Sequence, residues 1–318
     1  MNIKRFIDKN GKLIWYVALI IVFVVLVRNY LNSYYEEQEA IKKAQATQNS
    51  EITKVDVNTN NDNSETSTMV YSTQSKTSLK AIKSFVYYCN NKEIDNAYKM
   101  LTDECKNAMF PTVEEFEKIY INNIFNITRT YELEKWSTEG DKNTYLISLY
   151  GSILETGNSG EYTQDYYTLI KNEEGVYRLN INCFIYGQKR NVETTVKGIT
   201  VKIENVDVYD EYEKATITIS NNNSKQICLS GNKNKEKLYL QDENNLTYLS
   251  INSIFDTDEI VLEPNSAQTY VVQFSKIYSA TNKAKYLVLS DVIFDYEEYS
   301  KSDDKEYYSN RTSIKVNY

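Results

Sequence analysis

The sequence predicts a chain in three parts: an N-terminal transmembrane helix, an α+β domain and an all-β sandwich domain. Three observations carry this reading. Leu13 to Val27 reads LIWYVALIIVFVVLV, a run without a charge. From Thr77 apolar residues recur at spacings of three and four, and from about Thr128 the period becomes two. Beyond residue 196 short alternating segments follow one another with no helical stretch between them.

The first element is the span, taken as residues 13–31. The apolar run is short for a bilayer, but Lys12 and Arg28 can snorkel, and Tyr30 and Leu31 extend the helix. A cleaved signal peptide needs small residues just after the run, and RNYLNSYYEEQE stands there instead. Residues 1–12 carry Lys4, Arg5, Lys9 and Lys12 against Asp8, whereas Glu36, Glu37 and Glu39 follow the span. The positive-inside rule then places the N-terminus in the cytoplasm and the bulk outside the cell, with the membrane as a partner through residues 13–31.

Residues 32–76 read as a polar stem followed by a flexible linker, EITKVDVNTNNDNSETSTMVYSTQSK, too poor in large apolar residues to bury a core. The α+β domain is expected over 77–187. Leu79, Ile82, Phe85, Val86 and Cys89 form one helix face, and Ile94, Ala97, Tyr98 and Leu101 a second. Thr102 reads as an N-cap, and Thr112 with Glu115 as a capping box. Strands are expected at Arg129–Trp136, Thr144–Leu154, Tyr162–Lys171 and Val176–Ile185. In the last, Tyr177, Leu179, Ile181, Cys183 and Ile185 alternate with polar residues.

After a short polar connection the sandwich occupies 188–318. Its strands are expected around Ile199–Ile203, Ala215–Ile219, Lys237–Gln241, Glu259–Leu262, Thr269–Phe274, Lys285–Leu289, Val292–Tyr296 and Thr312–Val316.

Composition narrows the chemistry. The chain has 318 residues, a net charge of -8 and no histidine. The acidic body argues against nucleic-acid binding. The missing imidazole removes histidine-based triads and histidine-ligated zinc. Cys89, Cys105, Cys183 and Cys228 form no C-x-x-C pair, and no metal or cofactor site is expected. Outside the cell a disulfide between Cys89 and Cys105 is one option, and two buried free thiols are the other. The acidic stretch Asp295, Glu297, Glu298, Asp303 and Asp304 lacks calcium-loop spacing and reads as a solvated loop.

The segment SLKAIKSFVYYCNNKEIDNAYKMLTDECKNAMFPTVEEFEKIY resembles the helical half of the cystatin-like cone fold of nuclear transport factor and ketosteroid isomerase. Ala97, Tyr98 and Leu101, the cap Thr102, and Phe110, Thr112, Glu114 and Phe116 carry the likeness. LYLQDENNLTY and LEPNSAQTYVVQF resemble pieces of the immunoglobulin-like domains of Gram-positive surface proteins, with Asn265 in place of the usual turn glycine. The cone resemblance implies a cavity approached by Tyr88, Tyr98, Asp165 and Tyr166, where a carboxylate beside a phenol moves protons without histidine. The same residues also read as core-edge tyrosines and a solvated aspartate. Cone domains also extend some penicillin-binding proteins, but the S-x-x-K matches at Ser230 and Ser302 have no K-T-G partner. The expected function is a non-enzymatic, membrane-anchored surface protein presenting binding or scaffolding domains to a protein or cell-wall partner. A subunit of a conjugation or secretion complex, and a small-ligand sensor or enzyme using the cone cavity, are the alternatives.

Overall fold

A computed structural model describes residues 71–151, 162–229, 237–251, 255, 259–305 and 308–318. Half of the interpretable region lies in strands and a fifth in helices, arranged around two sheets. This corrects the expected cone followed by a sandwich. The ten strands of the larger sheet are one hydrogen-bonded system closed around a shared core.

The membrane span is corrected as well. No helix among the described residues is long and apolar enough to cross a membrane, and residues 13–31 lie outside them. The longest of those helices has 13 residues, about 20 Å at 1.5 Å per residue, against about 30 Å of hydrocarbon. The cytoplasmic N-terminus and external bulk inferred from that span lose their support with it.

The helices are α1 (Ser78–Asn90), α2 (Ile94–Lys99), α3 (Asp103–Met109), α4 (Val113–Phe116) and α5 (Asn122–Ile124), with a π turn at Glu117–Ile121 between the last two. The expected caps operate. Thr102 Oγ1 accepts from the Cys105 N–H at 2.9 Å, and Thr112 Oγ1 from the Glu115 N–H at 3.2 Å. β1 (Arg129–Glu139), β2 (Lys142–Gly151), β3 (Tyr162–Lys171) and β4 (Tyr177–Asn180) follow as an antiparallel meander. The helices bury Phe85, Cys89, Phe116 and Tyr120 against Ile147, Leu149, Tyr167 and Leu169 of this sheet.

The alternation expected through Val176–Ile185 breaks at Asn182 and Cys183, both left-handed at φ 58° and 61°. The chain turns there and starts a new strand, β5 (Phe184–Val196). The supposed polar connection is thus the exposed half of a 13-residue strand. Phe184 sits in the core under the helices, whereas Ile185 belongs to the core of the larger sheet.

The larger sheet continues with β6 (Ile199–Tyr209), β7 (Glu213–Asn221), β8 (Ile227–Leu229), β9 (Leu238–Asp242), β10 (Thr247–Ile251), β11 (Ile260–Leu262), β12 (Ser266–Phe274), β13 (Ala284–Ile293) and β14 (Arg311–Asn317). Its order is β11-β8-β13-β9-β10-β12-β7-β6-β5, with β14 on β13. β14 lies beside β5, so the sheet curls around one core built from β6, β7, β9, β12, β13 and β14. β5 and β6 meet in a two-residue turn, Lys197 at φ 46° and Gly198 at φ 77°, the mirror-image geometry that matches strand twist. A Cβ on Gly198 would stand 2.3 Å from Asn223 Oδ1, so glycine is required twice over.

The two segments Lys285–Leu289 and Val292–Tyr296 join in one strand, β13, through a register shift between Leu289 and Val292. After it the acidic stretch does not form a loop throughout. Asp295 caps a short helix, α6 (Tyr296–Lys301), which packs Tyr299 on Cys228 and Ile293.

The tip of the β1–β2 hairpin docks on the larger sheet. The Trp136 ring lies 4.3 Å from Tyr166 and 5.2 Å from Tyr278 between centroids. The Tyr278 hydroxyl donates to Glu139 at 3.1 Å, and Lys283 pairs with the same carboxylate.

Candidate functional site

Asp165 projects from β3 toward the helices and is 4% exposed. Its Oδ1 accepts the N–H of Cys183 and of Tyr166, both at 2.7 Å. Its Oδ2 accepts the N–H of Asn182 at 2.9 Å and the Tyr120 hydroxyl at 2.8 Å. Two consecutive left-handed residues aim successive N–H groups at one point, a concave anion cradle that this chain fills with its own carboxylate. Tyr167, two residues along the same strand face, stands 2.7 Å from the Tyr120 hydroxyl and completes the cluster.

Burial pushes the Asp165 pKa up, and its four donors pull against that rise. Burial, and then the charge of Asp165, hold the Tyr120 and Tyr167 phenols well above their ordinary range. These phenols stay protonated, and Tyr120 donates. The space beside them is filled by Phe85, Phe110 and Phe116, all fully buried. The arrangement fixes a carboxyl group within a packed aromatic core, which is structural work.

Comparison with protein families, curated proteins and solved structures finds no match for this chain. The resemblances to the cystatin-like and immunoglobulin-like families therefore rest on the quoted motifs alone.

The four expected cavity residues do not converge. Tyr166 points to the opposite face of β3 from Asp165 and packs on Trp136 at the junction with the larger sheet. The Tyr98 hydroxyl donates to the Phe110 carbonyl at 2.9 Å, so it holds the α3–α4 connection. Tyr88 is buried at the end of α1 with its ring edge-on to Tyr87 at 5.8 Å. Tyr120, the partner of Asp165, lies four residues after Phe116, the spacing of one helix face. Its hydroxyl is the one signal that such a position needs a polar partner.

Cys89 and Cys105 are free, fully buried thiols. Burial lifts both, Cys105 to about 12. Among the described residues no group of three or more His, Cys, Asp or Glu side chains is placed to hold a metal ion.

A concave surface lies elsewhere, beside α6. A cleft of about 600 Å³ is lined by Lys225 and Gln226 after β7, Glu263 and Pro264 before β12, and Asp295, Glu297, Glu298 and Lys301. Asp295 is largely buried, accepts the Glu298 N–H at 3.1 Å and pairs with Lys225. That hydrogen bond to Lys225 lowers its pKa, with the Glu298 N–H adding to the effect. Gln226 donates to Glu263 at 2.8 Å, and Lys301 pairs with Glu297 at 2.6 Å. The long lining side chains are thus paired with one another around the cleft.

Proposed function

We propose that this chain is a non-enzymatic binding or scaffolding protein. The observation that carries the reading is the state of Asp165. The carboxyl group best placed for proton chemistry is 4% exposed, accepts four hydrogen bonds and is walled by aromatic rings. A general base must reach the proton it abstracts, and here no substrate atom has room to approach. The outward surfaces, including the cleft beside α6, are then what the molecule offers to other molecules. Docking of the β1–β2 hairpin on the larger sheet supports the same reading, because it holds those surfaces in one arrangement.

The test is crosslinking of the full chain in the cells that make it, followed by mass spectrometry. One reproducible set of covalent partners is expected, and Asp165→Asn protein that still folds is expected to recover the same set. Recovery of a small metabolite consumed by the wild type and untouched by Asp165→Asn would sink the proposal.

A further inference from the structure

The β1–β4 sheet has one face against the helices and one turned away from them. Register sets out the second face in rows. Glu134, Leu146 and Tyr166 form one, Glu132, Ser148 and Gln164 the next, and Thr130, Tyr150 and Tyr162 the third. Glu132 and Glu134 are exposed, and Tyr162 is 54% exposed. An aromatic pair stands at each end of the two glutamates. The Tyr150 and Tyr162 rings lie 5.5 Å apart between centroids, and Tyr166 packs on Trp136 at the junction with the larger sheet. The β6–β7 turn brings Asp210 and Glu211 to that junction. Burial raises the Tyr166 phenol pKa, and Asp210, Cys183, Glu134 and Glu211 add to the rise. None of Glu132, Glu134, Asp210 and Glu211 has an ion-pair partner among the described residues. Glu132 accepts the Tyr150 hydroxyl at 3.0 Å, and Lys142 on the same face lies over the Tyr186 ring at 4.8 Å.

We infer that this face receives an extended, arginine-bearing segment of a partner protein. The inference rests on the binding reading above and names the chemistry of the partner. Carboxylates without counter-ions draw cations, and a net charge of -8 adds attraction at longer range. The rings supply the second half of the match. A tyrosine face attracts a guanidinium, and the planar fork of arginine meets a carboxylate with two hydrogen bonds. Spacing sets the form of the segment. Glu132 and Glu134 point the same way about 7 Å apart, the repeat of alternate side chains in an extended chain. Arginines two residues apart on such a segment meet both glutamates, with a tyrosine ring beside the outer one. An acidic segment is repelled from the same face, and a neutral one leaves its carboxylates unmatched.

The probe is a fluorescent peptide that alternates arginine with threonine, titrated with the full chain by anisotropy at physiological ionic strength. Glu132→Gln with Glu134→Gln is expected to weaken binding at least about tenfold, and Tyr162→Ala about threefold. Glu173→Gln with Glu174→Gln, in the exposed turn between β3 and β4, removes the same charge and is expected to leave the affinity within about twofold. No binding, equal loss in the two double variants, or equal binding of a peptide with glutamate in place of arginine each overturn the assignment. Crosslinking of the Glu132→Gln, Glu134→Gln chain in cells separates the two readings. A lost partner is expected, whereas an unchanged set of partners removes this face from the interface and leaves the binding reading standing.

Discussion

Asp165 holds Cys183 by its backbone: the carboxyl oxygen and the N–H lie 2.7 Å apart, across a turn where the chain is left-handed twice in succession. Left-handed backbone at two non-glycine residues is costly, and the carboxyl group offsets it by satisfying both N–H groups. Asp165→Asn keeps the shape but turns one acceptor into a donor facing donors. We expect a loss of about 2–4 kcal/mol in urea denaturation. A change within about 0.5 kcal/mol, the range of ordinary surface substitutions, would show that the turn stands without it.

Asp242 stabilises the β9–β10 turn in another way. Its carboxylate accepts the N–H groups of Asn244 and Leu246, both at 2.9 Å, and the Tyr248 hydroxyl at 3.2 Å. Burial alone raises its pKa, but these donors outweigh it and the net shift is downward. A folded pKa below the unfolded one adds stability above the ordinary carboxylate range, lost as pH falls toward the folded value. Asp242→Asn should therefore weaken the protein at neutral pH by about 1–2 kcal/mol and flatten the acid side of its stability profile. An unchanged acid slope in the variant refutes the assignment.

Lys276 and Glu213 form a nearly solvent-free ion pair at 3.2 Å, with side-chain exposures of 2% and 8%. Lys276 also donates to the Asn282 carbonyl at 2.9 Å. Lys276→Met leaves the buried Glu213 carboxyl without its ion-pair partner, and a loss of about 3–5 kcal/mol is expected by calorimetry. Replacing both residues, Lys276→Met with Glu213→Leu, should restore most of it. A double variant as weak as the sum of the two single variants contradicts a pairwise origin.

The thiols should be silent in the native state. Burial lifts Cys105 and Cys228 to about 12 and raises Cys89 and Cys183 as well. At neutral pH, alkylation of the unreduced native protein is expected to be slow, and alkylation in denaturant should reach all four cysteines. A pair that resists alkylation in denaturant but yields after reduction means a disulfide.

Trp136 joins the two sheets through Tyr166 and Tyr278. Wild-type protein is expected to unfold in one transition by fluorescence and circular dichroism. Trp136→Ala should cost about 2–4 kcal/mol and separate the transitions of the two sheets. A single coincident transition in the variant would place the coupling elsewhere, in β5.

Some of this was legible in the sequence. β3 keeps its expected bounds, Tyr162–Lys171, a run rich in tyrosine and threonine that favours strand. The caps at Thr102 and Thr112 followed from local spacing. What failed was non-local. The alternation across Val176–Ile185 is intact as a pattern, and the turn at Asn182 and Cys183 is tied to Asp165, distant in sequence. β8 has three residues, all buried, so it carries no period to detect. α6 buries only Tyr299 among charged neighbours, which reads as loop. The cone resemblance brings Asp165 and Tyr166 to one cavity, yet adjacent residues of a strand face opposite ways.

β5 begins under the helices at Phe184 and ends in the Lys197–Gly198 turn, one strand that shifts register against β6 near Ile185 and again at the left-handed Asn191. At about 3.3 Å per residue it spans roughly 40 Å. Such a strand acts as a gauge bar. Anything gripped at the helical end and anything gripped along the larger sheet is held at a set spacing and heading. Lengthening or shortening β5 by one residue would alter that spacing only slightly, but would rotate one end against the other by half a pleat.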